Sequence, residues 1–221
     1  MYSKFSSTGA VARRLQVLVF GLLLLVASAL SGQASGPRDV VVGTAGEVAE
    51  RLDGRRDYYR ENTEELYALI NEILLPNFDV RYAGFKVLGE ANWKAAPKEQ
   101  KQRFVDTFYQ FLLRSYATGI LSFDPNSLII EDEFKSNEKF AAIKTKVRQD
   151  TGEMIPVNYR LRLSKAGWRV YDVRIEGVSY IENYRNQFAA EIDALGLEAV
   201  ITRLQAEIDK MNTAVAEPAD T

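Results

Sequence analysis

The side chains that could do chemistry in this chain are carboxylates, hydroxyls and amines, because its 221 residues include no histidine and no cysteine. Imidazole bases, thiol nucleophiles and metal sites built from histidine or cysteine are therefore excluded. None of the serines lies in a Gly-x-Ser-x-Gly turn, and a catalytic triad has no histidine to use. Carboxylates remain the main candidates for acid or base catalysis.

Asp172 is the carboxylate best placed to act as a base, since it lies in the last predicted long strand between Tyr171 and Val173. If it faced a cavity, it could remove a proton from a substrate, as carboxylates do in cone-shaped α+β isomerases. Side chains alternate along a strand, which puts Asp172 on the face opposite to Tyr171 and Val173. This favours a solvated or ion-paired structural aspartate over a catalytic base.

Gly84 and Gly89 have the spacing of the two glycines in a phosphate-binding loop. Such a loop continues with a lysine and then a serine or threonine, whereas here Glu90 and Ala91 follow. The pattern therefore favours a helix with closely packed glycines over a nucleotide site.

The charged runs are typical of solvated surface. Adjacent acidic residues such as 131–133 point their side chains apart, which suits a calcium site poorly. Lys144, Lys146 and Arg148 share one face of a predicted strand. Surface charge is the default interpretation of this ridge, and docking of a charged partner is the alternative.

Residues 1–34 have the layout of a secretory signal peptide, with a basic start, an apolar run over residues 15–30 and small residues after it. The run is shorter than the roughly 20 residues that a membrane-spanning helix needs. We expect cleavage after Ala34, or alternatively after Ala29, and export from the cytoplasm. Lipoprotein processing is excluded because no cysteine can carry the lipid.

The exported part is predicted to be one domain over residues 35–213, followed by a polar tail over residues 214–221. Removing residues 1–34 takes away three of the 28 basic residues and none of the 30 acidic ones, which leaves a net charge of about −5. Because nucleic-acid binding requires a concentrated basic face, we expect no nucleic-acid partner. We expect a monomer.

Apolar periodicity predicts helices in the first half of the chain. A lead-in over residues 35–44 precedes the first helix. Pro76 ends a later helix, Asp79 is placed to cap the next, and Gly89 lies near the end of that one. Pro97 opens the longest helix.

From residue 128 onward the apolar pattern alternates, which predicts strands. Four are expected, over residues 128–134, 140–149, 155–163 and 168–175. Gly152 and Gly167 lie in the turns between them, where hairpins need a residue at positive φ. Two helices follow, on either side of Gly196. This order predicts an α+β fold, in which helices pack on one face of a curved antiparallel sheet of about four strands and can enclose an apolar cavity.

The longest helix carries a wide apolar face that is rich in phenylalanine. Ordinary core is the default interpretation of such a face. The number of phenylalanines, and the lack of a polar catalytic alternative, also favour a cavity for a lipid or another apolar ligand. From the residues alone, both interpretations stay open.

Three blocks, in this order, resemble the MlaC family. The blocks are Leu74-Leu75-Pro76 through Tyr82-Ala83-Gly84 to Val87-Leu88-Gly89, then Ala96-Pro97-x-x-Gln100 with Phe104, Phe108, Leu112 and Tyr116, then Trp168-x-x-Tyr171-Asp172 with Glu176-Gly177-Val178-Ser179 and Asn183-Tyr184-Arg185. The resemblance covers residues 67–204. Members of this family, also described as toluene-tolerance type auxiliary components of ABC transporters, are periplasmic phospholipid carriers.

The resemblance implies a soluble periplasmic carrier, without catalytic activity or cofactor, that holds the acyl chains of a diacyl phospholipid. It implies two partners: an outer-membrane lipoprotein–porin complex and an inner-membrane ABC transporter with MCE domains. Moving lipid between them would maintain the lipid asymmetry of the outer membrane.

Family position and local pattern together predict the residues that line or border the lipid cavity. They are Val80, Val87, Phe104, Phe108, Phe111, Leu112, Tyr116, Val157, Tyr159, Leu161, Tyr171, Val173, Val178 and Ile181. Two other functions stay open: an isomerase or hydrolase that uses Asp172 as its base, and an adaptor with a solid core that binds only protein.

Overall fold

The computed structural model describes residues 35–149 and 151–216, so the predicted signal peptide lies outside the described residues. Helices form the first half. They are α1 (Pro37–Leu52), α2 (Arg56–Glu61), α3 (Thr63–Leu74), a 3₁₀ turn (Leu75–Asn77), α4 (Val80–Ala95), α5 (Lys98–Tyr116) and a second 3₁₀ turn (Thr118–Ser122).

Helix α1 begins at Pro37, so the prediction of an irregular lead-in over residues 35–44 is wrong. Proline suits the first turn of a helix, and the Asp39 carboxylate accepts a hydrogen bond from the Gly36 amide at 2.8 Å. Val41 and Val48 lie two turns apart and are buried. Burial of that face against the sheet outweighs the weak helix propensity of the two glycines in this segment.

The chain turns sharply between α3 and α4. As predicted, Asp79 caps α4, since its carboxylate accepts a hydrogen bond from the Tyr82 amide at 3.0 Å. The Asp79 amide donates to the Val170 carbonyl at 2.7 Å, and Arg162 donates to the Asp79 carboxylate. These two hydrogen bonds connect the corner to strands of the sheet.

Helix α4 extends past Gly89 to Ala95, with a kink at Gly89, where φ is +74°. Gly89 was expected near the end of this helix, but the helix continues on both sides of it. At Gly84 the helix approaches α5 so closely that a Cβ there would lie 2.8 Å from a methyl group of Val105. The expectation of close glycine packing is met at this position.

Five antiparallel strands form one sheet in chain order. They are β1 (Phe123–Asn137), β2 (Phe140–Gln149), β3 (Met154–Ser164), β4 (Gly167–Ile175) and β5 (Val178–Ser179). The sequence missed β5, which is only two residues long. A tight turn at Glu176 and Gly177, both at positive φ, joins it to β4.

Helices α6 (Tyr180–Leu195) and α7 (Leu197–Ala216) complete the chain. Ile143, Leu161 and Val170 on the inner face of the sheet pack against Val41 of α1. A separate core joins α4, α5, α6 and α7 around Phe104 and Phe188, whose ring centroids are 6.3 Å apart. The predicted α+β fold class is confirmed. None of the helices in the described part of the chain is long and apolar enough to cross a membrane.

Candidate functional site

A cavity of about 510 Å³ lies between the inner face of the sheet and the helices. That volume falls in the range of small-molecule sites, roughly 300–1,000 Å³. Two lining residues, Tyr116 and Gly119, are exposed to solvent, which locates the opening near the end of α5. An adaptor with a solid core would have no such space.

One wall of the cavity is a face of α1. It presents Val41, Thr44, Ala45 and Val48, whose spacing of three and four residues puts them on one side of the helix. The sequence analysis missed this wall, because it treated residues 35–44 as irregular. The spacing of the two valines was the available signal.

Helix α5 supplies another wall with a second helical face. This face contains Val105, Phe108, Tyr109, Leu112, Leu113 and Tyr116. Phe104 and Phe111, which were expected to line the cavity, point instead into the core between helices. Phe104 packs against Phe188, and the ring of Phe111 lies 5.7 Å from that of Tyr184. The apolar stripe of α5 is thus divided between two neighbours.

Three more expected residues lie away from the cavity wall. Val87 is one turn beyond the lining residue Ala83 and is buried among the helices. Leu161 packs against α1 at the closed end of the sheet. Val178, in the short strand β5, is 59% exposed. The expected residues that do border the cavity are Val80, Phe108, Leu112, Tyr116, Val157, Tyr159, Tyr171, Val173 and Ile181.

A β-bulge in β4 changes which side chains face the cavity. Leu161 is paired with Val170 and Arg160 with Asp172, so Tyr171 is the extra residue. Simple alternation therefore fails here, and Val170, Tyr171 and Asp172 are all buried. A bulge leaves little trace in a sequence, which is why Val170 was not predicted as a lining residue.

The lining contains few polar groups, and most of them are tyrosine hydroxyls. Tyr109 donates to Asn71 at 3.0 Å, and the hydroxyls of Tyr116 and Tyr184 are 2.7 Å apart. Burial raises the pKa of Tyr109 and that of Tyr159 to about 12. These hydroxyls stay protonated at physiological pH and present no charge to the cavity.

Asp172 is the one charged side chain that borders the cavity within residues 35–149 and 151–216. It is 2% exposed, and both of its oxygens accept hydrogen bonds, from the Ser179 hydroxyl at 2.8 Å and the Ile181 amide at 3.2 Å. Arg160 and Arg174 lie 3.7 and 4.0 Å away. The expected ion pairing is present, but the expected placement is wrong: Asp172 is buried and borders the cavity together with Tyr171 and Val173, because the bulge breaks the alternation.

The arrangement is suited to holding an apolar ligand. Among the described residues, no group of three or more carboxylates is placed to hold a metal ion. The basic ridge on β2 is partly neutralised, because Lys146 pairs with Glu131 at 2.6 Å and Lys144 with Asp132 at 3.7 Å.

Comparison with protein-family models gives a match over most of the chain. The family model described as MlaC protein matches residues 43–206. The chain belongs to the MlaC family. The resemblance inferred from three sequence blocks is thereby confirmed.

Relatives of this MlaC family member carry names that concern lipid transport and solvent tolerance. The toluene tolerance protein ttg2D of Pseudomonas putida is 28% identical over 204 residues, which cover 90% of this chain and 95% of the relative. The intermembrane phospholipid transport system binding protein MlaC of Haemophilus influenzae is 23% identical over 193 residues, which cover 86% of this chain and 90% of the relative.

A solved structure shares the fold. It is the phospholipid-binding protein of Ralstonia solanacearum in complex with a phospholipid. The TM-score is 0.68 at 25% sequence identity, and the match covers 80% of this chain and 97% of the Ralstonia chain.

Proposed function

We propose that this protein is a periplasmic phospholipid carrier that holds the acyl chains of a diacyl phospholipid in the cavity. The apolar cavity of about 510 Å³ is the observation that carries the proposal. The Ralstonia relative, which was solved with a phospholipid, supports it. The proposal assigns no catalytic step to the chain, because the oxygens of Asp172 are already engaged within the protein.

The energetics of acyl chains explain why such a carrier would need docking partners. Two chains of about 15 methylenes each, at about 0.8 kcal/mol per buried methylene, would cost on the order of 24 kcal/mol to expose to water. Release into bulk water would be far too slow to be useful. The carrier would therefore hand over its lipid while docked at a membrane.

The proposal also covers the docking partners and the transport pathway. We propose that the carrier docks on an outer-membrane lipoprotein–porin complex and on an inner-membrane ABC transporter with MCE domains, and that lipid transfer between them maintains outer-membrane asymmetry. The family membership and the name of the Haemophilus relative support this proposal. Residues 1–34 would act as the signal peptide for export.

The test of lipid binding is extraction of protein purified under mild conditions from bacterial cells. We expect diacyl phospholipid by mass spectrometry. Leu112→Arg places a charge on the cavity wall and should abolish retention, because burying an unpaired cation is strongly unfavourable.

The matched control is Leu195→Arg, at a side chain that is 69% exposed. It should retain lipid like the unaltered protein. Circular dichroism would establish that both variants are folded. An empty unaltered protein, or full retention by folded Leu112→Arg, would contradict the proposal.

A further inference from the structure

The cavity contains a hydroxyl that the protein itself leaves unpaired. Tyr159 projects from β3, the central strand, between its cross-strand neighbours Ile143 and Val173. Its ring contacts the apolar clusters on the inner face of the sheet. Among the described residues its hydroxyl has no hydrogen-bond acceptor, whereas Tyr109 has Asn71. Tyr159 is thus a free donor inside an apolar space.

The depth of Tyr159 in the cavity follows from the sheet. The opening lies at the Ile175 end of β4, because the exposed Tyr116 packs against Tyr180, just beyond the β4–β5 turn. Tyr159 is level with Val173, two residues inward from Ile175, which corresponds to about 7 Å. The hydroxyl therefore lies below the opening and above the closed end of the cavity.

Once acyl chains fill the cavity and displace water, a hydroxyl at this depth that is left without an acceptor is unfavourable. Acyl chains have no acceptor to offer, and a headgroup at the opening stays in water. The ester carbonyls of a diacyl lipid join these two parts and lie a short distance inside the headgroup. An ester carbonyl is therefore the acceptor that a lipid could bring to this depth.

We propose that Tyr159 donates a hydrogen bond to an ester carbonyl of the bound lipid, so that the cavity selects ester-linked diacyl lipids over ether-linked dialkyl lipids of the same shape. This inference rests on the proposed function as a phospholipid carrier. It goes further because it names the linkage that the cavity recognises and the residue that recognises it. Tyr180 also lines the cavity, but its ring lies beside the exposed Tyr116 at the opening, so water can reach the Tyr180 hydroxyl.

The experiment compares two lipids that differ only in the linkage. Purified protein freed of lipid is equilibrated with vesicles of equal parts dioleoyl phosphatidylcholine and its dioleyl ether analogue, and the lipid that it retains is quantified by mass spectrometry. One net hydrogen bond predicts a preference for the diester of roughly 2- to 12-fold. Tyr159→Phe should retain as much total lipid with a ratio near one.

Tyr67→Phe is the matched control, because it removes the hydroxyl of a buried tyrosine outside the cavity. It should keep the preference for the diester. Equal retention of both lipids by the unaltered protein, or an unchanged preference in Tyr159→Phe, would overturn the inference while leaving the carrier function intact. Retention of neither lipid by the unaltered protein would overturn the proposed function, and this inference with it.

Discussion

Asp172 joins the last long strand to the helix that follows it. The Ser179 hydroxyl donates to this carboxylate and accepts from the Glu182 amide at 3.0 Å, so it links Asp172 to the first turn of α6. Arg160 and Arg174 lie near Asp172 and also contact Glu182, at 3.3 and 2.8 Å. Because every donor around Asp172 is supplied by the protein, its contribution is expected in stability.

We predict that Asp172→Asn lowers the free energy of unfolding by about 1–3 kcal/mol. The amide has nearly the same shape, but its nitrogen cannot accept a hydrogen bond from Ser179. The amide is also uncharged, so it no longer balances the charge of the nearby arginines. Urea denaturation followed by circular dichroism measures the change. Asp193→Asn, at an exposed position, should stay within about 0.5 kcal/mol. Equal stability of the two variants would contradict this account.

Helix α5 serves two neighbours at once. One face lines the cavity and another packs against α6, and α4 approaches it closely at Gly84. Valine side chains are stiff at χ1, so Val105 cannot easily turn away from an added methyl group at Gly84. The close contact therefore fixes α4 beside the cavity wall.

We predict that Gly84→Ala destabilises the protein although alanine favours helix. Overpacking against Val105 costs about 1–3 kcal/mol, which outweighs a propensity gain of at most about 1 kcal/mol. Gly46→Ala is the control, since nothing lies within 4 Å of the added atom in α1. It should raise the free energy of unfolding by about 0.5–1 kcal/mol. Urea denaturation measures the change in the free energy of unfolding for each variant, and the two changes should have opposite signs. Stabilisation by both substitutions would contradict the close contact at Gly84.

Elements with strong local signals could be predicted from the sequence. Pro76 and Asp79 marked the corner, Gly152 and Gly167 marked two hairpins, and four of the five strands follow from alternation. The part of helix α1 before residue 45, and strand β5, were not predicted. The first is stabilised by packing on a distant sheet, and its local signal is limited to the spacing of Val41 and Val48. The second is a two-residue extension of a turn.

The lining of the cavity was harder to predict than the elements. Periodicity identifies the apolar side of a helix, but it does not say which neighbour that side meets. Phe108 and Phe111 share the stripe of α5, yet only Phe108 borders the cavity. The bulge at Tyr171 likewise reassigns side chains in a way that alternation cannot anticipate. Both features depend on tertiary packing.

At the scale of the whole molecule, the protein contains a set of buried and half-buried tyrosines. Burial raises the pKa of Tyr109 and Tyr159 to about 12, and it raises the pKa of Tyr184 further, with help from Tyr116. In the unfolded chain a tyrosine titrates near pH 10. The folded state holds these protons more tightly, so their contribution to stability is complete below pH 10 and is lost as pH rises toward 12.

We predict that alkali destabilises the protein steeply. A single tyrosine with its pKa shifted from 10 to 12 lowers the free energy of unfolding by about 1.3 kcal/mol between pH 9 and pH 11. Tyr159→Phe should reduce the loss by about that amount, and Tyr109→Phe by less, because solvent screens its partly exposed hydroxyl. Urea denaturation at the two pH values measures it. Identical losses in the variants and the unaltered protein would show that these hydroxyls do not resist ionisation.

Helix α1 has a consequence for the order in which the molecule is made. Val41 is synthesised early, but its partners Leu161 and Val170 come from the far end of the chain. Local hairpins and helix pairs close quickly, whereas contacts between distant segments must wait for their partners and form slowly. Val41 therefore stays without these two partners until β4 has been made, whereas Val48 of the same helix can already pack with Ile70 and Leu113 from earlier in the chain.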